Sequence, residues 1–463
     1  MNWELFGISL YVLGMLVIGF YVSSRIKNDD DYFLAGRSLG PFLATFSIFA
    51  TWFGAETCIG TAGSVYRSGL SSIHADPLGY SICIFLMGFL FSKILWEKKI
   101  TTIPDLFRDR FSVNTEKLAA LLMIPSSIIW AGAQVRAFGQ IIHSTTDYGV
   151  TIAITIAACV VIIYTISGGL LADAYTDLIQ GFALIAGLIF LLIAMVMDLG
   201  GIGPALKTIP LDKLSLRATD DGLSLLSRAE LWMIPILGSL VSQELVSRVV
   251  ASRSSTVANR SCLRAGLLYL VIGTIPVFIG LLGINYLPGL KDSETVMPVL
   301  AKLHLNYFFY IIFVGALVSA ILSTVDTTLL SASALVSHNI IYPALGNISE
   351  KKKVFIARSA TLISGVLAYV IAFMSESITE LVETASSLGG PSILVITVIA
   401  LWIKKGSAAN AIFAIIMSIL TWIMTHFVVE IEFPILATVG VCILSYFSSL
   451  LIFNKTAIIE MAE

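Results

Sequence analysis

The chain predicts an all-α polytopic membrane protein of about thirteen transmembrane helices, on three grounds. Hydrophobic residues fill 57% of its 463 positions and charged residues 13%, about half the share of a soluble chain, and the mean hydropathy is +0.92. Apolar stretches of roughly 18 to 30 residues recur throughout, each able to cross a hydrocarbon core of about 30 Å as a helix. Lysine and arginine cluster in alternate connecting segments, the bias that orients membrane proteins.

Spans are expected at 4–24, 41–66, 76–96, 118–143, 149–170, 173–198, 229–251, 262–286, 306–340, 354–374, 378–402, 408–427 and 433–453. The first lacks a basic start and an A-x-A cleavage pattern, so it reads as a retained span rather than a signal peptide. One set of loops carries Arg25, Lys27 and Arg37, then Lys98, Lys99, Arg108 and Arg110, then Arg253, Arg260 and Arg264, then Lys351 to Lys353, then Lys404 and Lys405. That set is expected to be cytoplasmic, with the N terminus outside, the C terminus inside and the protein in the cell inner membrane. The opposite loops 199–228 and 287–305 are long enough to hold short helices packed as lids.

Composition and motifs exclude several function classes. The net charge of -2 comes without a basic arm, so no nucleic-acid partner is expected. Cys58, Cys83, Cys159, Cys262 and Cys442 all fall in apolar segments and suggest no disulfide framework. Walker A, H-E-x-x-H and G-x-S-x-G patterns are absent, which argues against an enzyme and against nucleotide-driven pumping. The expected partners are a lipid bilayer, a sodium ion and a small solute, with the chain working as a monomer.

Two spans are interrupted. Ala50-Thr51-Trp52-Phe53-Gly54-Ala55-Glu56-Thr57 puts a glycine and a carboxylate inside an apolar run, and Pro235, Gly238, Gln243, Glu244 and Arg248 break the 229–251 run. A broken helix at membrane depth survives only where protein or a cavity satisfies its backbone, and the freed carbonyls can bind an ion. Matched breaks suggest an inverted repeat with the site where they meet. The chain then divides into 1–40 (an extra helix and first cytoplasmic loop), a five-span repeat 41–198, an outer loop 199–228, a second five-span repeat 229–402, and 403–463 with two C-terminal helices.

Polar residues inside other spans extend the site. Ser323, Thr324, Asp326 and Thr327 lie within about one turn of the 306–340 span, and hydroxyl plus carbonyl oxygens suit a hard cation such as sodium. Taken singly, each hydroxyl is more simply a packing or back-bonding group. Asp177 lies near the start of its span and could cap the helix or serve a site. Glu56 and Arg136 should either pair or face solute charges of opposite sign, and Trp52 and Trp130 could wall a cation.

In Asp31 to Pro41, Ala50 to Gly60, Ser167-Gly168-Gly169 with Tyr175-Thr176-Asp177, Gln243 with Arg248, and Ala320 to Asp326, the sequence resembles the sodium:solute symporter family over nearly its whole length. The resemblance implies a LeuT-type core of two inverted five-helix repeats, preceded by one helix and followed by two. It implies sodium ligands at the carbonyls of Ala50, Phe53 and Ala320 and the hydroxyls of Ser323 and Thr324. In some members the aspartate matching Asp177 belongs to a second sodium site, which here would add Asp326 and Thr327; Asp326 stands where those members carry serine. Trp52 and the Gln243-to-Arg248 spacing are similar to the choline-transporting branch, but Ser242 replaces its cage tryptophan. The expected activity is sodium-coupled import of a small polar solute, zwitterionic or carboxylate-bearing (an amino acid, betaine or sugar acid), bound by Trp52, Phe53, Glu56, Thr57, Trp130, Arg136 and Gln243. An uncharged sugar or polyol is the alternative, with a sodium-conducting channel or a transporter-like sensor as readings from other classes.

Overall fold

A computed structural model describes residues 26–146, 148–216, 224–375 and 377–460, with scattered positions between 7 and 22. The expected span 4–24 therefore lies largely outside the described residues, as does Arg25. In chain order the helices are α1 (Pro41–Trp52), α2 (Glu56–Ser72), α3 (His74–Glu97), α4 (Ile103–Arg110), α5 (Val113–His143), α6 (Val150–Ile166), α7 (Gly168–Asp198) and α8 (Leu225–Ser239). They continue as α9 (Gln243–Val250), α10 (Ser255–Gly283), α11 (Val296–His304), α12 (Tyr307–Leu345), α13 (Glu350–Met374), α14 (Ile378–Trp402), α15 (Ala408–Val428) and α16 (Pro434–Phe453). Among the described residues nine helices are long and apolar enough to cross a membrane, or eleven when each of two bent pairs counts as one span. The bent pairs are α1 with α2, at 56°, and α8 with α9, at 46°. Both expected interruptions are thus real.

Local chemistry places the helix ends. Pro41 starts α1 where its missing N–H costs nothing. Ser112, Ser242, Ser254 and Asn306 accept from backbone N–H groups in the first turns of α5, α9, α10 and α12. The spans expected at 149–170 and 173–198 are separated at Gly169, whose φ of +64° would strain any side-chain-bearing residue. Tyr32 lies against this glycine, so the close approach adds a second reason for its identity.

The element at the centre is α12, the most buried of the long helices, while α15 and α16 are mostly exposed and lie at the margin. α12 packs against α5, α6 and α7. The two long loops do hold short helices, Ile202–Lys207 in one and α11 in the other, and both loops press on α2: the Ser293 carbonyl meets Gly63 and Lys213 meets Gly69.

The Arg37 end of the molecule is closed by side chains that end on backbone atoms. The Arg37 guanidinium donates to the carbonyls of Lys99 and Ile100 at 3.0 Å each and of Val250 at 3.4 Å. Leu39 and Ser252 form an isolated β-bridge, and the Trp96 indole N–H donates to the Ser252 carbonyl at 2.6 Å. Beside them, the Asp105 carboxyl sits below its ordinary range: burial pushes it up, but His338 and the N–H groups of Thr101 and Thr102 hold it down. Replacing Arg37 by alanine removes three charge-assisted bonds, so this end should open more often. In a background without native cysteines, maleimide labelling of S252C should accelerate about tenfold. An unchanged rate would show that Arg37 does not hold the closure.

Candidate functional site

The break between α1 and α2 redirects two backbone N–H groups. In an intact helix Gly54 N–H would bond the Ala50 carbonyl, but here it turns to Trp52 O at 2.8 Å. Likewise Ala55 N–H, the normal partner of Thr51 O, goes to Gln134 Oε1 on α5 at 3.2 Å. The Ala50 carbonyl is thereby released from its helical donor. Glycine is required at position 54 because a Cβ there would overlap Thr324 Oγ1 on α12 and crowd Gln134 Oε1.

Three of the expected sodium ligands converge at this contact. Thr324 Oγ1 lies 3.4 Å from Ala50 O and 3.2 Å from Ala320 O, so one hydroxyl and two carbonyl oxygens meet in a buried place with no net charge of their own. Ser323 is the next residue and donates its hydroxyl to Asp177 Oδ1, while Ser47 of α1 donates to Asp177 Oδ2 at 2.7 Å. Asp177 therefore ties α7 to both α1 and α12; it does not cap a helix. Phe53 forms the turn itself, stacked on Phe49 with ring centroids 4.6 Å apart.

The residues of the possible second sodium set have protein partners of their own. Thr327 is engaged by the guanidinium of Arg248, which also pairs with Asp173 and comes within 4.0 Å of Asp177. Asp326 turns the other way and accepts from Thr165 on α6. Arg248, fully buried on α9, brings a positive charge beside Asp177 and Thr327. Asp173 was missed in the sequence, where Ala172-Asp173-Ala174 marked no polar cluster.

On the α2 side of the break lies a cavity of about 90 Å³ between α2, α3, α8 and α14. Glu56, Asp76, Tyr80, Glu383 and Ser386 line it, together with apolar Leu231 and Ile234. Glu56 does not meet Arg136. Its Oε1 accepts from the Trp130 indole at 2.6 Å and its Oε2 from the Gln134 amide at 2.8 Å. Trp130 and Gln134 are one turn apart on α5, whereas Arg136 lies about 200° around the helix from Gln134 and donates to the Ala372 carbonyl at 3.4 Å.

The other expected solute residues also separate. Gln243 braces the Arg37 end, accepting from Ile103 N–H and donating to Thr101 O, both at 3.1 Å, and is not in the cavity lining. Thr57 faces inward and shares Asp76 Oδ2 with the Tyr269 hydroxyl, at 2.6 and 3.0 Å. Trp52 is fully buried behind the lining, with Trp130 at 6.3 Å and Tyr80 at 5.4 Å between ring centroids. Of the seven expected solute residues only Glu56 reaches the cavity surface. Asp76 and Glu383 were missed because both stand at the ends of expected spans, where charge is ordinary.

A sequence model of the sodium:solute symporter family matches residues 32–418. High affinity choline transporter 1 of Homo sapiens is 27% identical over 83% of this chain and 70% of its own length. The sodium/proline symporter of Escherichia coli (strain K12) is 26% identical over 89% of this chain and 86% of its own. Among solved structures, a Na+-coupled sialic acid symporter in a substrate-bound outward-open state superposes with a TM-score of 0.86 at 19% identity, covering 97% of both chains. Mhp1, a nucleobase-cation-symport-1 family transporter, superposes at 0.61 and 16% identity over 89% of this chain and 93% of its own. These likenesses establish a LeuT-type helical fold.

Proposed function

This chain belongs to the sodium:solute symporter family, and we propose that it takes up a small organic solute by coupling it to sodium through alternating access. The observation that carries the reading is the released Ala50 carbonyl, held beside Thr324 Oγ1 and Ala320 O. Sodium placed among these oxygens, with the Ser323 hydroxyl and the Phe53 carbonyl completing its shell, joins α1 to α12. If the Arg37 end is cytoplasmic, as the lysine and arginine distribution indicates, the ion favours the state in which that end is closed and the cavity faces outward. Coupling needs only that ion and solute each bind this state better than the alternative.

In this reading the repeats run 41–198 and 229–402, a single chain carries every ligand, and the inner membrane is its location. Arg136 lies outside the cavity lining, so this reading gives it no part in holding the solute.

Sodium, but not potassium, should raise the melting temperature of the purified protein. At about 100 times the dissociation constant the added stability is about 2.7 kcal/mol. Thr324→Ala should abolish most of this increment, and Ser323→Ala should reduce it. A sodium response equal to wild type in both variants would remove the site from this place.

A further inference from the structure

The cavity holds three carboxylates and no lysine or arginine. Each carboxylate is answered by neutral groups or by none. Glu56 takes an indole and an amide, and Asp76 Oδ2 takes two hydroxyls. Asp76 is 93% buried, given its 7% exposure, and its Oδ1 has no hydrogen-bond partner. Glu383 is exposed to the cavity and has neither a hydrogen bond nor an ion pair among the described residues. His74, which can also carry charge, directs Nδ1 to the Ser71 carbonyl.

Ionisable side chains at membrane depth are costly and are retained where a partner of opposite sign visits. An anion would meet repulsion from three sides. A neutral polyol would leave the carboxylates without a counter-charge. A quaternary ammonium brings charge but no N–H, and a buried acceptor without a donor keeps its desolvation cost. A protonated amine satisfies both requirements, because its N–H groups form charge-assisted bonds to carboxylate oxygens while its carbon frame lies on Leu231 and Ile234.

We propose that the transported solute carries a protonated primary or secondary amine, with Asp76 and Glu383 receiving its N–H groups and Glu56 adding charge at the break. This rests on the sodium-coupled uptake proposed above. Four compounds sharing a two-carbon frame separate the classes: ethanolamine, choline, glycolate and ethylene glycol. Each is added to the purified protein in sodium and in potassium, with the thermal shift as readout, followed by solute-evoked current in proteoliposomes.

Ethanolamine in sodium should give the largest shift, with inward current, and Glu383→Gln should weaken its apparent affinity by at least about tenfold. Retention of the sodium-only shift in Glu383→Gln certifies the fold of the variant. A larger shift from choline, glycolate or ethylene glycol, or no shift with ethanolamine, overturns the amine assignment while leaving sodium coupling standing. Absence of any sodium-only shift in the wild type overturns the sodium reading instead.

Discussion

Arg248→Met is expected to lower the stability of the folded protein by about 3–5 kcal/mol, because it strips the counter-charge from buried carboxylates without removing them. Arg248 is fully buried, as are Asp173, Asp177 and Asp326 to within 2%. Its guanidinium pairs with Asp173, engages Thr327 and lies 4.0 Å from Asp177. Arg248→Lys should recover only part of the loss, since one guanidinium nitrogen meets Asp173 and Thr327 while the other donates to the Glu244 carbonyl and the Ser247 hydroxyl, and a single ammonium cannot serve both places. Adding Asp173→Asn to Arg248→Met should restore stability relative to Arg248→Met alone, as one unpaired charge is then removed. Thermal unfolding in detergent reads all three variants, and a melting temperature unchanged in Arg248→Met would contradict this account of the cluster.

Gly54→Ala should abolish both the sodium response and transport, with a stability cost of about 1–3 kcal/mol from overpacking. The added methyl would overlap Thr324 Oγ1, and that hydroxyl cannot retreat without leaving Ala50 O and Ala320 O. Relief in the other direction moves α2 and pulls Ala55 N–H from Gln134. Gly60→Ala is the comparison in the same segment: its methyl would meet only ordinary contacts, the nearest at 3.9 Å, so the sodium response should survive. Equal losses in the two variants would mean that flexibility of the segment matters, and not the contact with Thr324.

Much of this architecture was legible because the bilayer makes irregularity expensive. Gly54 and Glu56 in an apolar run announced the first break, and Pro235 to Arg248 announced the second, since such residues persist at depth only with a function. Ser323 and Thr324 announced themselves as hydroxyls on a long apolar helix. The pairing of charges was not legible. Glu56 was set against Arg136, yet helical period alone places Trp130 and Gln134 on one stripe and Arg136 on another. Gln243 lay in the right helix but serves the opposite end, because which loop it braces depends on contacts with residues about 140 positions away. Asp76 and Glu383 carried no local signal, standing where a span meets water in one dimension and where a cavity reaches inward in three.

The closure at Arg37 has an evolutionary consequence. Its partners at Lys99, Ile100, Val250 and Ser252 contribute carbonyl oxygens, which every amino acid possesses. Substitution at those four positions keeps the acceptor oxygens themselves, whereas positions 37 and 96 must keep a side chain able to donate across the gap. Proline is barred at 39 and 253, where backbone N–H groups donate to Ala251 O and Leu39 O. Related chains could therefore differ widely along these loops and still inherit the same latch.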